Sequence, residues 1–367
     1  MRVLMVSKAC YVAGYRRKLE ELASFPNVEL MLMVPPYWRF GKKKAPLEPS
    51  TDRGYQMVVE NPLFNGWHHL HLYPRLSHWV ATFRPQILHV DEEPYDLVTY
   101  HALRVARRWR AKALFFTWQN IRLGFPPPFS FLERNVLARA DAAIAGNQEA
   151  ARVLREKGFL RPTFVIPQFG VDTAFFRPRD GEPGNTFRIG YVGRMVEEKG
   201  VFLLLEAVSE MGGPWELHLA GDGPALPRMV RWLSAKGLGD RFEWHGSVPS
   251  HQMPEFLSTL DVLVLPSLTR PRWKEQFGRV LVEAMACARP VVGSSSGEIP
   301  NVIGDAGLIF PEGNVEELRA HLFRLMGDPS WRRKLGQQGR QRVEERFTQR
   351  RVAELTYDVY RHLLEAP

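Results

Sequence analysis

Glu275-Gln276-Phe277-Gly278-Arg279-Val280-Leu281-Val282-Glu283, continued by Ala284-Met285-Ala286-Cys287, is the stretch around which the rest of the chain is organised. Its apolar residues Val280, Leu281, Ala284 and Met285 recur at helical spacing, which puts Glu283 in the first turns of a helix. Gly278 reads as the turn into that helix, so the backbone N–H groups of Arg279 and Val280 would lie at its start, where an anion is attracted. A carboxylate before the turn and another just after it could grip hydroxyls on either side of a bound phosphate, a geometry suited to a nucleotide sugar. The same residues also read as an ordinary capped helix with two surface glutamates, and the stretch alone leaves both readings open.

The 367 residues are enough for two domains, and 45% hydrophobic with 24% charged residues is the composition of a globular protein. The apolar run after Met1 is too short for a signal core or a membrane span, which leads us to expect a cytoplasmic protein. Cys10 and Cys287 are far apart and in no metal-ligand spacing, so neither a disulfide framework nor a zinc site is expected from them. The net charge of +9 is uneven: residues 1–175 carry 24 Lys+Arg against 15 Asp+Glu, and the remainder carries 25 of each. Clusters at Arg16-Arg17-Lys18, at Lys42-Lys43-Lys44 and from Arg104 to Lys112 suit anionic headgroups or an anionic acceptor; otherwise they are a solvated face. No nucleic-acid signature accompanies them, so no nucleic acid is expected as partner.

Short apolar runs at 3–6, 28–34, 86–90, 113–117, 142–145 and 163–166 alternate with helical segments at 15–22, 96–110, 131–140 and 148–157. That alternation predicts an α/β fold with a parallel sheet covered on both faces. Gly14 is the single glycine in the turn before the first helix, so the G-x-G-x-x-G dinucleotide fingerprint is absent. The prolines and lysines of 35–49 predict an exposed loop. His69 and His71 fall on one face of a possible strand and are better read as edge-strand residues than as metal ligands. Asp91-Glu92-Glu93 follows a strand where α/β sheets bind ligands, but it lacks a second carboxylate cluster that would suggest a metal.

The turn formers around Arg179-Asp180-Gly181-Glu182-Pro183-Gly184-Asn185 predict a linker over 179–187. This gives a first domain over 1–178, a second over 188–347 and a closing amphipathic helix over 348–367 that packs back on the first. In the second half the strand and helix alternation restarts, and two similar sheets are expected to face each other across a cleft. After the first strand of this half, Gly193-Arg194-Met195-Val196-Glu197-Glu198-Lys199-Gly200 sets an arginine and a lysine five residues apart beside two glycines. A planar fork and a point charge together suit a diphosphate, whereas the bland reading is a surface loop with a Glu-Lys pair.

Gly193-Arg194…Lys199-Gly200, Ala220-Gly221-Asp222-Gly223-Pro224, Asp261 to Ser267, Glu275 to Cys287 and Pro290-Val291-Val292 resemble, in order and spacing, the retaining GT-B glycosyltransferases of family 4. Gly170-Val171-Asp172…Phe175-Phe176-Arg177-Pro178 extends the resemblance to the domain junction. The resemblance implies two Rossmann-like domains and metal-independent hexosyl transfer from a nucleoside-diphosphate sugar, with retention and no bound cofactor. It implies that Arg194 and Lys199 clamp the diphosphate, that Glu275 positions the transferred sugar and that Glu283 grips the ribose. It also implies that the backbone at Gly193, Gly278, Arg279 and Val280 meets the phosphates, while Gly14 allows a close backbone approach to them. One departure is evident: where many relatives have a His-Asp pair, this chain reads Thr117-Trp118-Gln119-Asn120, so Gln119 stands in the place of a sugar-facing histidine. Glutamine hydrogen-bonds but is no base near neutral pH; in the front-face mechanism the leaving phosphate takes the acceptor's proton. The expected role is sugar transfer to a carbohydrate or lipid-linked acceptor in cell-envelope synthesis, with an anionic membrane surface as a further partner. The alternatives are a nucleotide-sugar epimerase on the same fold and a catalytically silent nucleotide-sugar-binding subunit.

Overall fold

The computed structural model describes residues 1–49, 54–179 and 186–365. The chain divides into two compact units, Met1–Gly170 with Gln349–Pro367, and Val171–Thr348. Most of the linker expected at 179–187 lies outside the described residues.

Seven parallel strands form the sheet of the first unit, in the order Gln56–Val59, Glu29–Val34, Arg2–Val6, Ile87–Val90, Lys112–Thr117, Ala142–Ala145, Thr163–Val165. Successive side chains of a strand point to opposite faces, and here both faces are apolar. Leu4, Val6, Leu88, Val90 and Phe115 pack on one side, while Val3, Met5, Ile87, Leu114 and Phe116 pack on the other. The second side is closed by the helix Gln349–Glu365, whose Val352, Ala353, Val359, Tyr360 and Leu363 join that core. Tyr360 also reaches the buried His89, its hydroxyl 2.7 Å from Nδ1.

The second unit holds six parallel strands in the order Phe242–Trp244, Trp215–Ala220, Phe187–Val192, Val262–Leu265, Val291–Ser294, Leu308–Phe310. Ile189, Leu217 and Val264 lie in one core, and Leu263, Leu265 and Val291 in the other. Residues 171–178, read from sequence as part of the first domain, pack with this second unit. Arg340 donates to the carbonyls of Thr173, Phe176 and Ala286 at 2.6–3.1 Å, and Val171 N–H donates to Phe347 O at 2.8 Å.

Three local expectations change. Residues 35–49 contain a hairpin, Tyr37–Phe40 against Lys43–Pro46, instead of only an irregular loop. The hairpin is anchored by Trp38, which is fully buried. Residues 67–71 form turns instead of a strand, with a lone bridge between Leu63 and Leu72. Gly14 is the second residue of the helix Ala13–Ala23 and not part of the preceding turn. Among the described residues no helix is long and apolar enough to cross a membrane.

Candidate active site

In the second unit the strand order reverses at Phe187–Val192, which lies between Trp215–Ala220 and Val262–Leu265. The carboxyl ends of strands at such a reversal are where open α/β sheets bind ligands. Glycines bring the loops there into backbone contact. A Cβ on Gly200, at φ 68°, would lie 1.8 Å from the carbonyl oxygen of Pro266, and one on Gly221 would lie 1.9 Å from that of Gly193. No other residue fits at these positions without moving backbone.

On this ledge Lys199 and Glu275, 76 residues apart in sequence, meet: Nζ lies 2.6 Å from Oε2. Ser267 Oγ donates to the same oxygen at 2.8 Å, and Trp273 lies under the ammonium at 5.1 Å from ring centre. The backbone of Glu275 is held as well, since its carbonyl accepts from Glu298 N–H at 3.2 Å. At Gly297 a Cβ would come within 2.0 Å of that carbonyl oxygen. Three residues on, Gly278 takes φ 75°, and the helix Arg279–Ala286 starts from it without a side-chain cap. Arg279 Nε donates to Glu283 Oε1 at 2.7 Å. Burial pushes the Glu283 carboxyl up, and Arg279 opposes that push. Arg194 stands apart from this group, its side chain 68% exposed and 3.8 Å from Glu198.

The carboxyl edge of the first unit's sheet is more densely charged. Ser7 Oγ donates to Asp91 Oδ2 at 2.9 Å. Lys8 is ion-paired with Glu92 and lies 3.8 Å from Asp96. His69 Nδ1 lies 2.7 Å from the other Asp96 oxygen, a contact that raises the pKa of this half-exposed imidazole. Glu93 accepts from Thr117 Oγ1 at 2.6 Å and from Trp118 N–H at 2.8 Å. Burial pushes both Glu92 and Glu93 up to about 7. Gln119 is buried, with its amide oxygen accepting from Lys157 Nζ at 2.6 Å and Nε2 donating to Leu123 O at 3.4 Å. Gly14 is exposed, and a Cβ built on it meets nothing within 4 Å. His71, buried and pushed down to about 3, turns Nδ1 to the His68 carbonyl, while His69 serves Asp96, so the two form no ligand pair.

The structure therefore joins Lys199 to Glu275 and Arg279 to Glu283, leaves Arg194 exposed, and carries Gly14 and Gln119 on the first unit. Sequence reading assigned no role to Ser267, Trp273, Gly297, Lys8 or the His69–Asp96 pair. Pro266-Ser267 at a strand end and Gly297 before a helix were the available signals; the others depend on contacts distant in sequence.

Residues 172–342 match the model of the family described as Glycosyl transferases group 1. The chain is 30% identical over 292 residues to alpha-maltose-1-phosphate synthase of Mycolicibacterium smegmatis, an alignment covering 72% of each. Among solved structures it is similar to sucrose-phosphate synthase from Thermosynechococcus elongatus, with TM-score 0.74, 21% identity and 100% of both chains covered. It is also similar to Anabaena HepE in complex with UDP, with TM-score 0.74, 16% identity, 99% of this chain and 100% of that one covered. At these identities the solved structures speak for the fold alone, which is GT-B.

Proposed function

The chain belongs to the group 1 glycosyltransferases, and on that premise we propose that it is a retaining, metal-independent enzyme of family 4 that moves a hexose from a nucleoside-diphosphate sugar to an acceptor hydroxyl. The observation that carries this reading is the Lys199–Glu275–Ser267 group beside the start of the Arg279 helix. Lys199 and the exposed Arg194 take the diphosphate, where negative charge grows as the sugar leaves. Glu275, held by Ser267, receives the hydroxyls of the transferred sugar. Glu283 takes the ribose, and the backbone from Gly278 to Val280 meets phosphate oxygens at the helix start. The bond from the sugar's anomeric carbon to phosphate breaks as the bond to the acceptor oxygen forms on the same face, and the acceptor's proton passes to the leaving phosphate. No side-chain base is needed, in keeping with Gln119 being occupied by Lys157. Gly14 leaves room for the donor phosphate.

The experiment is a thermal-shift screen against UDP-, GDP- and ADP-sugars, followed by NMR of the transfer product. One donor should raise the melting temperature, and the product should keep the donor's anomeric configuration. Inversion would refute retention. Conversion of the donor without any acceptor would favour an epimerase, and binding with no turnover across a broad acceptor panel would favour a silent subunit.

A second observation supports an anionic partner for the first unit. Arg104, Arg107, Arg108 and Arg139 line a surface pocket of about 790 Å³ together with Tyr100 and Phe131. We read this as the seat of an anionic headgroup at the cytoplasmic face of a membrane during cell-envelope synthesis. Flotation with anionic vesicles should occur at low salt and weaken as salt rises; an Arg104→Glu/Arg107→Glu variant that floats as well as the parent would refute it.

A further inference from the structure

At the edge of the six-stranded sheet, outside the loops described above, two histidines and a glutamate converge. His218 on the strand Trp215–Ala220 is the register partner of Glu243 on the edge strand Phe242–Trp244. His245 follows that strand, and its N–H donates to Leu219 O at 2.9 Å. His218 Nδ1 lies 3.1 Å from His245 Nε2 and 3.5 Å from Glu243 Oε2. One potential ligand atom from each of the three residues falls within 4.8 Å of the others. Zinc–nitrogen bonds of about 2.0–2.1 Å at tetrahedral angles put neighbouring ligand atoms roughly 3.3 Å apart. Two edges of such a tetrahedron already have that length.

The outer nitrogens explain why this is more than a histidine pair. Glu216 Oε2 lies 3.4 Å from His218 Nε2, and Glu243 Oε1 lies 3.7 Å from His245 Nδ1. A carboxylate beside one ring nitrogen favours the proton there and leaves the lone pair on the other. One ring N–H between the two facing nitrogens, 3.1 Å apart, makes a hydrogen bond in the metal-free chain; a cation takes that place once the proton moves to an outer nitrogen beside a carboxylate. Phe256 packs edge-on against the His245 ring at 4.9 Å between centres and holds its orientation.

We propose that His218 Nδ1, His245 Nε2 and Glu243 Oε2 bind a divalent transition-metal ion of the zinc class, with water completing the shell and Glu216 orienting His218. Two imidazoles with one carboxylate are a ligand set suited to zinc, nickel or copper and not to magnesium or calcium. The ion would tie the edge strand to its neighbour. Trp244 Nε1 donates to Gly221 O at 2.9 Å, and Gly221 N–H donates to Gly246 O at 2.7 Å. Metal binding would therefore brace the Gly221 loop that packs on Gly193. The role is structural and independent of the proposed transfer reaction.

The test is calorimetric titration of untagged, chelator-treated full-length protein with zinc sulfate, alongside thermal melts with and without zinc. One ion per chain should bind and the melting temperature should rise. His245→Ala and Glu243→Gln, both at partly exposed side chains, should each weaken binding at least about tenfold. His251→Ala, on an exposed histidine outside the cluster, should leave it unchanged. No saturable binding below about 100 μM zinc, or equal affinity in His245→Ala, would overturn the proposal.

Discussion

Replacing Lys199 with Met keeps the aliphatic stem over Trp273 and removes only the charge that faces Glu275. The two side chains are 17% and 9% exposed, so the pair is nearly dry. Removing one partner of a buried ion pair costs about 3–5 kcal/mol, because the remaining charge is left uncompensated. Ser267 still donates to Glu275, and Lys199 keeps some contact with water, which puts the expected loss near the lower end, about 3 kcal/mol. Glu275→Gln in the same chain removes the stranded charge, and the double variant should return to within about 1 kcal/mol of the parent. Urea denaturation of the parent, both single variants and the double variant measures this coupling. Catalysis should not follow stability. Lys199→Met and the double variant should both lose about 10²–10³-fold in turnover, the usual loss when one group that stabilises developing charge is removed. Additive destabilisation in the cycle would refute the buried pairing, and near-parental turnover in Lys199→Met would refute its role at the diphosphate.

Gly14→Ala enters open space in a helix, so stability should hold or rise by about 0.5 kcal/mol. If donor phosphate approaches that backbone, calorimetry should show donor affinity falling at least about tenfold; unchanged affinity would remove Gly14 from the donor site. Arg340→Lys gives up the fork that gathers the carbonyls of Thr173, Phe176 and Ala286. It should lower stability by about 1–3 kcal/mol, with faster protease cleavage near 171–178; a parental urea midpoint would contradict this. Glu93 has a folded-state pKa raised from 4.5 to about 7, so the folded chain holds a proton that the unfolded chain releases in that window. Its stabilising contribution is complete below the unfolded value and is lost as pH rises through 7. Glu93→Gln stays neutral, so its stability relative to the parent should grow by up to about 2 kcal/mol from about pH 5 to about pH 8. A flat difference would show that Glu93 ionises normally.

Much of the fold is legible without coordinates. The apolar runs 3–6, 142–145 and 262–265 are short, continuous and bounded by turn residues, which is how strands buried on both faces read. Gly278 ahead of Val280, Leu281, Ala284 and Met285 marks a helix start in the same local way. The hairpin at 37–46 was hidden because Pro35, Pro36 and the lysines read as loop, while Trp38, which anchors it, finds its burial only in the folded unit. The sequence reading ran the first domain to 178 because turn-forming residues concentrate after Pro178, whereas the contacts of 171–178 run to Arg340 and Phe347, far along the chain.

By itself, then, the sequence determined two doubly wound halves, the helix that closes the first sheet, and the glycines and charged residues that gather at strand ends. These follow from periodicity and backbone freedom, which act over a few residues. Only the tertiary structure decided that Lys199 lies against Glu275, that Lys157 occupies Gln119, that Lys8 joins Glu92 and Asp96, and that His218 meets His245. Each of these depends on strand order, because neighbours at the edge of a parallel sheet are set by which strands lie side by side and not by their distance along the chain.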